Sequence, residues 1–214
     1  MPASAAPLTL YGRANSINVQ KVIWALEELG LAYERIDAGG THGRLDTAEY
    51  TALNPNQLVP VICDGTMTLW ESNTIIRYLF ATYAAQSGTG LHYPTDARVR
   101  AIEEQWMDWQ ATDFWPAMRP VFHGLIRKAP SVTDAMVEDA VAASERKLRV
   151  LETQLAHTAF VAGKRFTMAD IPAALTVARW YKLPVAHTRH PHMEQWFDAI
   201  RARQAFRHVD LPLT

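Results

Sequence analysis

The chain has 214 residues, 49% of them hydrophobic and 20% charged, which suits a folded globular protein of one large domain or two small ones. A formal net charge of −1 argues against a nucleic-acid partner, and a single cysteine, Cys63, excludes an intrachain disulfide framework and fits a reducing compartment. No stretch approaches the ~18 apolar residues of a membrane span, and the N-terminal MPASAAPLTLYG reads as a short tail and not as a signal peptide.

Leu8–Tyr11 reads as a short buried strand ended by Gly12. After a loop over residues 13–16, Val19, Val22, Ile23, Leu26 and Leu29 recur at helical spacing, with Ser16 or Asn18 as the N-cap and Gly30 as the stop. Residues 33–37 alternate as a second strand, so the start predicts a parallel βαβ unit. Residues 38–54 predict an exposed loop and a short helix. The run Leu58–Cys63 then predicts a strand behind Pro60, a turn at Asp64-Gly65, a second strand Met67–Trp70, and a helix from Glu71-Ser72 with Ile75, Ile76, Leu79 and Phe80 on one face.

Residues 84–94 have linker composition, and the text beyond them is helical. Thr95-Asp96 is expected to cap a helix whose face carries Val99, Ile102, Trp106 and Trp109, and Pro116 and Pro120 are expected to break or kink the chain beyond it. Residues 131–157 form a long amphipathic pattern, Thr167-Met168-Ala169-Asp170 matches a capping box with Asp for Glu, and Pro191 opens the last helix. The prediction is an α/β module (βαβαββα) over 1–83, a linker over 84–94 and an all-helical module over 95–214.

In this order the chain resembles the soluble glutathione S-transferases over nearly its whole length. The resemblance rests on Tyr11-Gly12, Ser16-x-Asn18-x-x-Lys21-Val22, Asn54-Pro55, Leu58-Val59-Pro60, Asp64-Gly65, Glu71-Ser72-Asn73-x-Ile75, Thr167–Ile171, Trp196-Phe197 and the closing run 203–207. It implies a thioredoxin-like N-terminal domain followed by an all-helical domain, a cytoplasmic homodimer, and a role in detoxification. Glutathione would be the co-substrate, with no further cofactor and no metal. The loop placement resembles the serine-type classes, and Ser-x-Asn also resembles a bacterial Thr-x-Asn group.

Glutathione's thiol is a weak acid, and the thiolate is the nucleophile. Ser16, near a helix N-terminus, would donate a hydrogen bond to the sulfur, and Asn18 a second. Val59-Pro60 resembles the family's cis-proline element, whose backbone would pair with the cysteinyl part. Ser72 and the helix N-terminus would take the γ-glutamyl carboxylate, and Glu71 the α-amino group. For the glycyl carboxylate the sequence offers Lys21, His42, Arg44, Asn56 and Gln57, although Gln57 stands where relatives commonly have glycine or lysine. Residue type alone would make Ser16 and Asn18 plain N-caps, and Val59-Pro60 could be a strand-edge proline. Trp106, Trp109, Phe114, Trp115 and Met118 could form an apolar acceptor pocket or simply core. Cys63 reads as a buried filler, and His187, His190 and His192 as solvent-facing. The expected activity is attack of the glutathione thiolate on a small hydrophobic electrophile. The alternatives are a glutathione-dependent disulfide reductase or peroxidase, and a non-catalytic glutathione-binding or partner-docking protein.

Overall fold

The first strand, β1 (Leu8–Tyr11), turns Leu8 and Leu10 inward, as its apolar alternation requires. It is followed by α1 (Ile17–Glu28) and by β2 (Tyr33–Ile36), which pairs parallel to β1 with Leu8 opposite Tyr33 and Tyr11 opposite Ile36. This is a computed structural model that describes residues 8–214. The described residues form two compact units, one running to Tyr93 and the other spanning Pro94–Thr214.

In the first unit a short 3-10 turn (Gly40–His42) leads to α2 (Ala48–Leu53), which is capped by the Thr47 side chain accepting from Tyr50 N. The hairpin comprises β3 (Val61–Asp64) and β4 (Met67–Trp70), and α3 (Ser72–Tyr83) closes the unit. The sheet order is β2-β1-β3-β4, with β3 antiparallel to both β1 and β4. Leu10 and Ile62, opposite each other on the central strands, are fully buried, as are Val19, Val22, Ile75 and Leu79 of α1 and α3, whereas Val61 packs on the other face of the sheet with Ala38 and Tyr50. The hairpin turn falls one residue later than its sequence suggests: Asp64 is the last residue of β3, paired with Met67, and Gly65 has φ 57°. Asp64 instead accepts hydrogen bonds from the Tyr78 and Tyr83 hydroxyls, which tie the hairpin to α3.

The second unit holds five α-helices among its described residues: α4 (Ala97–Trp109), α5 (Trp115–Leu125), α6 (Asp134–Leu155), α7 (Asp170–Lys182) and α8 (Pro191–Arg201). Asp96 caps α4 by accepting from Arg98 N and Val99 N, a contribution of about 1 kcal/mol. The prolines do not break the chain as expected. A π turn over Gln110–Phe114 joins α4 to α5, Pro116 sits in the first turn of α5, and Pro120 lies inside it. Pro116 has no N–H to give Thr112, and its ring crowds that carbonyl; the wider turn relieves both problems.

The face expected to be apolar on α4 is also different. Val99 and Ile102 are 47% and 46% exposed, whereas Glu103 and Met107 are buried. Burial, helped by the nearby charge of Asp170, pushes the Glu103 carboxyl up to about 7. Asp170, fully buried at the start of α7, accepts from Val161 N at 3.0 Å, Thr167 N at 2.9 Å and Trp196 Nε1 at 2.9 Å. Its bond to Thr167 N is half of the expected capping box; Thr167 Oγ1 accepts from Ala169 N and not from Asp170 N. His190 is buried, not solvent-facing, and its Nε2 lies 3.2 Å from Glu145. His187 bonds the Trp180 carbonyl at 3.0 Å, and His192 contacts Glu152 at 2.7 Å. No helix among the described residues is long and apolar enough to cross a membrane, and no group of three or more His, Cys, Asp or Glu among them could hold a metal ion.

Candidate active site

The N-termini of α1 and α3 meet in the first unit. Ser16 is the N-cap of α1 by its extended backbone (φ −77°, ψ 126°), but its side chain makes no capping bond. A serine at this position ordinarily spends its hydroxyl on the N2 or N3 amide. Here the half-buried hydroxyl is left at the positive end of a 12-residue helix. Asn18 does not cap either. Its Oδ1 accepts from Ser72 Oγ at 3.3 Å, so the first turns of the two helices are bonded to each other.

Glu71, and not Ser72, is the N-cap of α3, and it has φ 71° and ψ 109°. That left-handed backbone is unfavourable for a side chain larger than glycine and costs on the order of 1–3 kcal/mol. Glu71 is exposed, while Ser72 and Asn73 beside it are buried. Lys21, on α1, is also buried, and its Nζ donates to Asn73 Oδ1 at 3.3 Å. Burial pushes its ammonium down to about 7, and the charge of Glu71 pulls the other way.

The Val59–Pro60 peptide bond is cis, and β3 begins directly after it. The loop ahead of it is built by Asn54, whose Nδ2 donates to the Leu58 carbonyl at 2.8 Å and whose Oδ1 accepts from Asn56 N at 3.0 Å. The Tyr50 hydroxyl donates to the same Leu58 carbonyl at 2.8 Å, and burial pushes that phenol up to about 12. Gly12 lets this loop approach α1. With φ 147°, a Cβ placed there would lie 2.4 Å from Val19 Cγ2 and 3.2 Å from Val59 Cβ. The chain entering the Ser16 loop therefore lies against Val59, beside the cis bond.

The residues named for the glycyl carboxylate are more scattered. His42 and Arg44 are exposed; His42 Nε2 lies 3.8 Å from Asp37, and Arg44 has φ 72°. Gln57 is exposed with φ 55°, a backbone that suits glycine, and its amide reaches Thr51 Oγ1 at 3.5 Å. In the second unit, Trp106 packs on Trp109 with centroids 5.2 Å apart, and Trp109 on Phe114 at 5.1 Å. Trp115 packs on Phe122, and Arg179 lies over both rings. Phe114 and Met118 are fully buried in the core of that unit, and the three tryptophans are half-buried. Cys63 is half-buried, with Sγ 3.7 Å from Thr68 Oγ1. Sequence reasoning assigned no chemical role to Asn54 or Asn73, and offered Lys21 only as a cation for the glycyl carboxylate. The signal that could have found Lys21 is its place within the apolar repeat of α1, between Val19 and Val22.

Two helix N-termini, an exposed carboxylate at the head of α3 and a backbone edge at a cis-proline line one cradle of the first unit. The sequence matches the models of the glutathione S-transferase N-terminal domain over residues 6–80 and of the C-terminal domain over residues 112–204. The chain belongs to the glutathione S-transferase family. It is 36% identical to glutathione S-transferase GstB of Escherichia coli over 205 residues, covering 94% of this chain and 97% of that protein. It is also 36% identical to glutathione S-transferase 3 of Zea mays over 211 residues, covering 94% and 92%. Among solved structures it resembles the theta class glutathione S-transferase of Xanthomonas axonopodis pv. citri, crystallised with glutathione bound, with a TM-score of 0.89, 39% identity and full coverage of both chains. Glutathione transferase F1 of poplar has a TM-score of 0.86 at 27% identity, covering 96% of this chain and 97% of that one. As a glutathione S-transferase the chain is an enzyme of the glutathione transferase type, with a four-stranded mixed-sheet domain ahead of a helical one.

Proposed function

We propose that this transferase activates the thiol of glutathione at Ser16 for attack on a small hydrophobic electrophile. The observation that carries the reading is that the Ser16 hydroxyl makes no capping bond at the N-terminus of α1. An alcohol does not titrate near neutral pH, so Ser16 acts as a hydrogen-bond donor to the sulfur and not as a base. The donor and the positive helix end both favour the thiolate, whose proton leaves to solvent. The thiolate forms a bond to the electrophilic carbon; in a substitution the carbon–halogen bond breaks and halide departs.

The rest of the cradle holds the tripeptide. Val59 pairs its backbone with the cysteinyl part, as an added strand would. The Ser72 N–H and the neighbouring amides at the start of α3 receive the γ-glutamyl carboxylate while the Ser72 hydroxyl keeps its bond to Asn18, and Glu71 receives the ammonium. The protein works without metal or further cofactor, as a cytoplasmic homodimer; a light-scattering mass of one chain would refute the dimer.

Conjugation of a chloro-nitroaromatic substrate tests the reading. Ser16→Ala should cut kcat well over tenfold while S-methylglutathione affinity stays within a few-fold. A chain that neither binds glutathione nor conjugates overturns it. Turnover confined to a disulfide substrate assigns the thiolate to disulfide reduction instead.

A further inference from the structure

Lys21 is a buried cation that the mechanism above does not use. Its side chain lies on α1 at 3% exposure and bonds Asn73 Oδ1 at 3.3 Å. Asn73 is the second residue of α3, directly after Ser72 and two after Glu71. Among the described residues, Glu71 is the charged group that acts on this ammonium. Packing does not call for a lysine here. Burying an ammonium disfavours its charged form, and an apolar side chain of similar length would suit the surroundings better. Its neighbour, meanwhile, is a backbone that needs holding: Glu71 keeps a left-handed conformation that costs free energy unless the surroundings over-determine it.

We propose that Lys21 is a positioning residue of the glutathione cradle, holding Asn73 by a hydrogen bond and Glu71 by charge so that the first turn of α3 is set to receive the γ-glutamyl end. The inference rests on the glutathione reading above and adds a residue to it. The chemistry is an alternation of charge. The Lys21 ammonium attracts the Glu71 carboxylate, which in turn attracts the ligand's ammonium, whose own carboxylate lies at the Ser72 end of α3. Lys21 does not touch the ligand and acts only through Glu71 and Asn73.

Because the ammonium is pushed down to about 7, the charge part of this hold is present below neutral pH and is lost as pH rises through about 7, while the neutral amine can still donate to Asn73. S-methylglutathione is the probe, since its blocked thiol does not titrate. Calorimetric titration between pH 6 and 8 compares the wild type, Lys21→Met and Lys21→Arg. The wild type should lose affinity as pH rises through about 7. Lys21→Met should bind about tenfold more weakly at pH 6.5 with a flat pH profile, and Lys21→Arg should recover most of the affinity without the inflection. In the conjugation assay the loss should fall on KM for glutathione and not on kcat. Lys21→Gln serves as the second variant if Lys21→Met fails to fold, with the same expectation. Wild-type affinity and an unchanged pH slope in the Met or Gln variant overturn the proposal while leaving the glutathione reading intact. A wild type that does not bind S-methylglutathione overturns both.

Discussion

The Ser72 hydroxyl donates to Asn18 Oδ1 at 3.3 Å and joins the first turns of α3 and α1 across 54 positions of sequence. A bond of this kind contributes about 1 kcal/mol net, or roughly fivefold in an equilibrium constant. Asn18→Ala should therefore weaken S-methylglutathione binding about fivefold by letting Ser72 turn away. Ser72→Ala should weaken it at least as much. Residues that share a bond are not additive, so the double variant should lose less than the product of the two. Strict additivity in the calorimetric cycle would mean that the bond does not contribute to binding.

Gly12 is the contact point between the Ser16 loop and Val59. Gly12→Ala meets Val19 Cγ2 at 2.4 Å on a backbone with φ 147° that L side chains rarely adopt. The expected destabilisation is about 2 kcal/mol. Urea denaturation should show it as a lower midpoint, and KM for glutathione should rise because Val59 is displaced. An unchanged midpoint would show that the loop has room the geometry does not reveal.

Glu103 makes stability depend on pH in an unusual direction. Its carboxyl is pushed from 4.5 up to about 7, first by burial, then by the charges of Asp170 and Glu104, with Arg165 opposing. Between those values the folded chain keeps a proton that the unfolded chain has released, so stability falls as pH rises through that window. Asp170, raised by burial to about 6, adds a slope of the same sign. Glu103→Gln removes the first contribution alone. The variant should be more stable than the wild type at pH 8, and the gap should close by pH 4. Parallel stability curves would exclude a buried proton on Glu103.

The sequence showed those parts of the fold that depend on an element's own pattern. The period of Val19, Val22, Ile23 and Leu26 marks α1, and the apolar run entering Pro60 marks β3 within a few residues. Family resemblance then points to Glu71-Ser72 as one end of the cradle. What escapes is set by neighbours distant in the chain. Lys21 looks like a polar interruption until α3 lies beside it with Asn73. Glu103 looks solvated until Asp170 is placed near it, and His190 until Glu145 meets it. The cap of α3 is hard to place from sequence because a glutamate at φ 71° is not something local propensity favours. Val99 and Ile102 show the reverse error, a periodic apolar pair that α4 leaves half exposed.

The π turn over Gln110–Phe114 works as a phase joint between two helical stretches. Gain or loss of one residue there rotates everything before it by about 100° relative to everything after it. Trp106 and Trp109 stand on one side of the joint and Trp115 on the other. A single insertion or deletion would therefore re-aim two indoles against the third without changing a residue in Leu8–Tyr83. The aromatic surface of the second unit can drift in lineage time on a length change alone, while the first unit stays as it is.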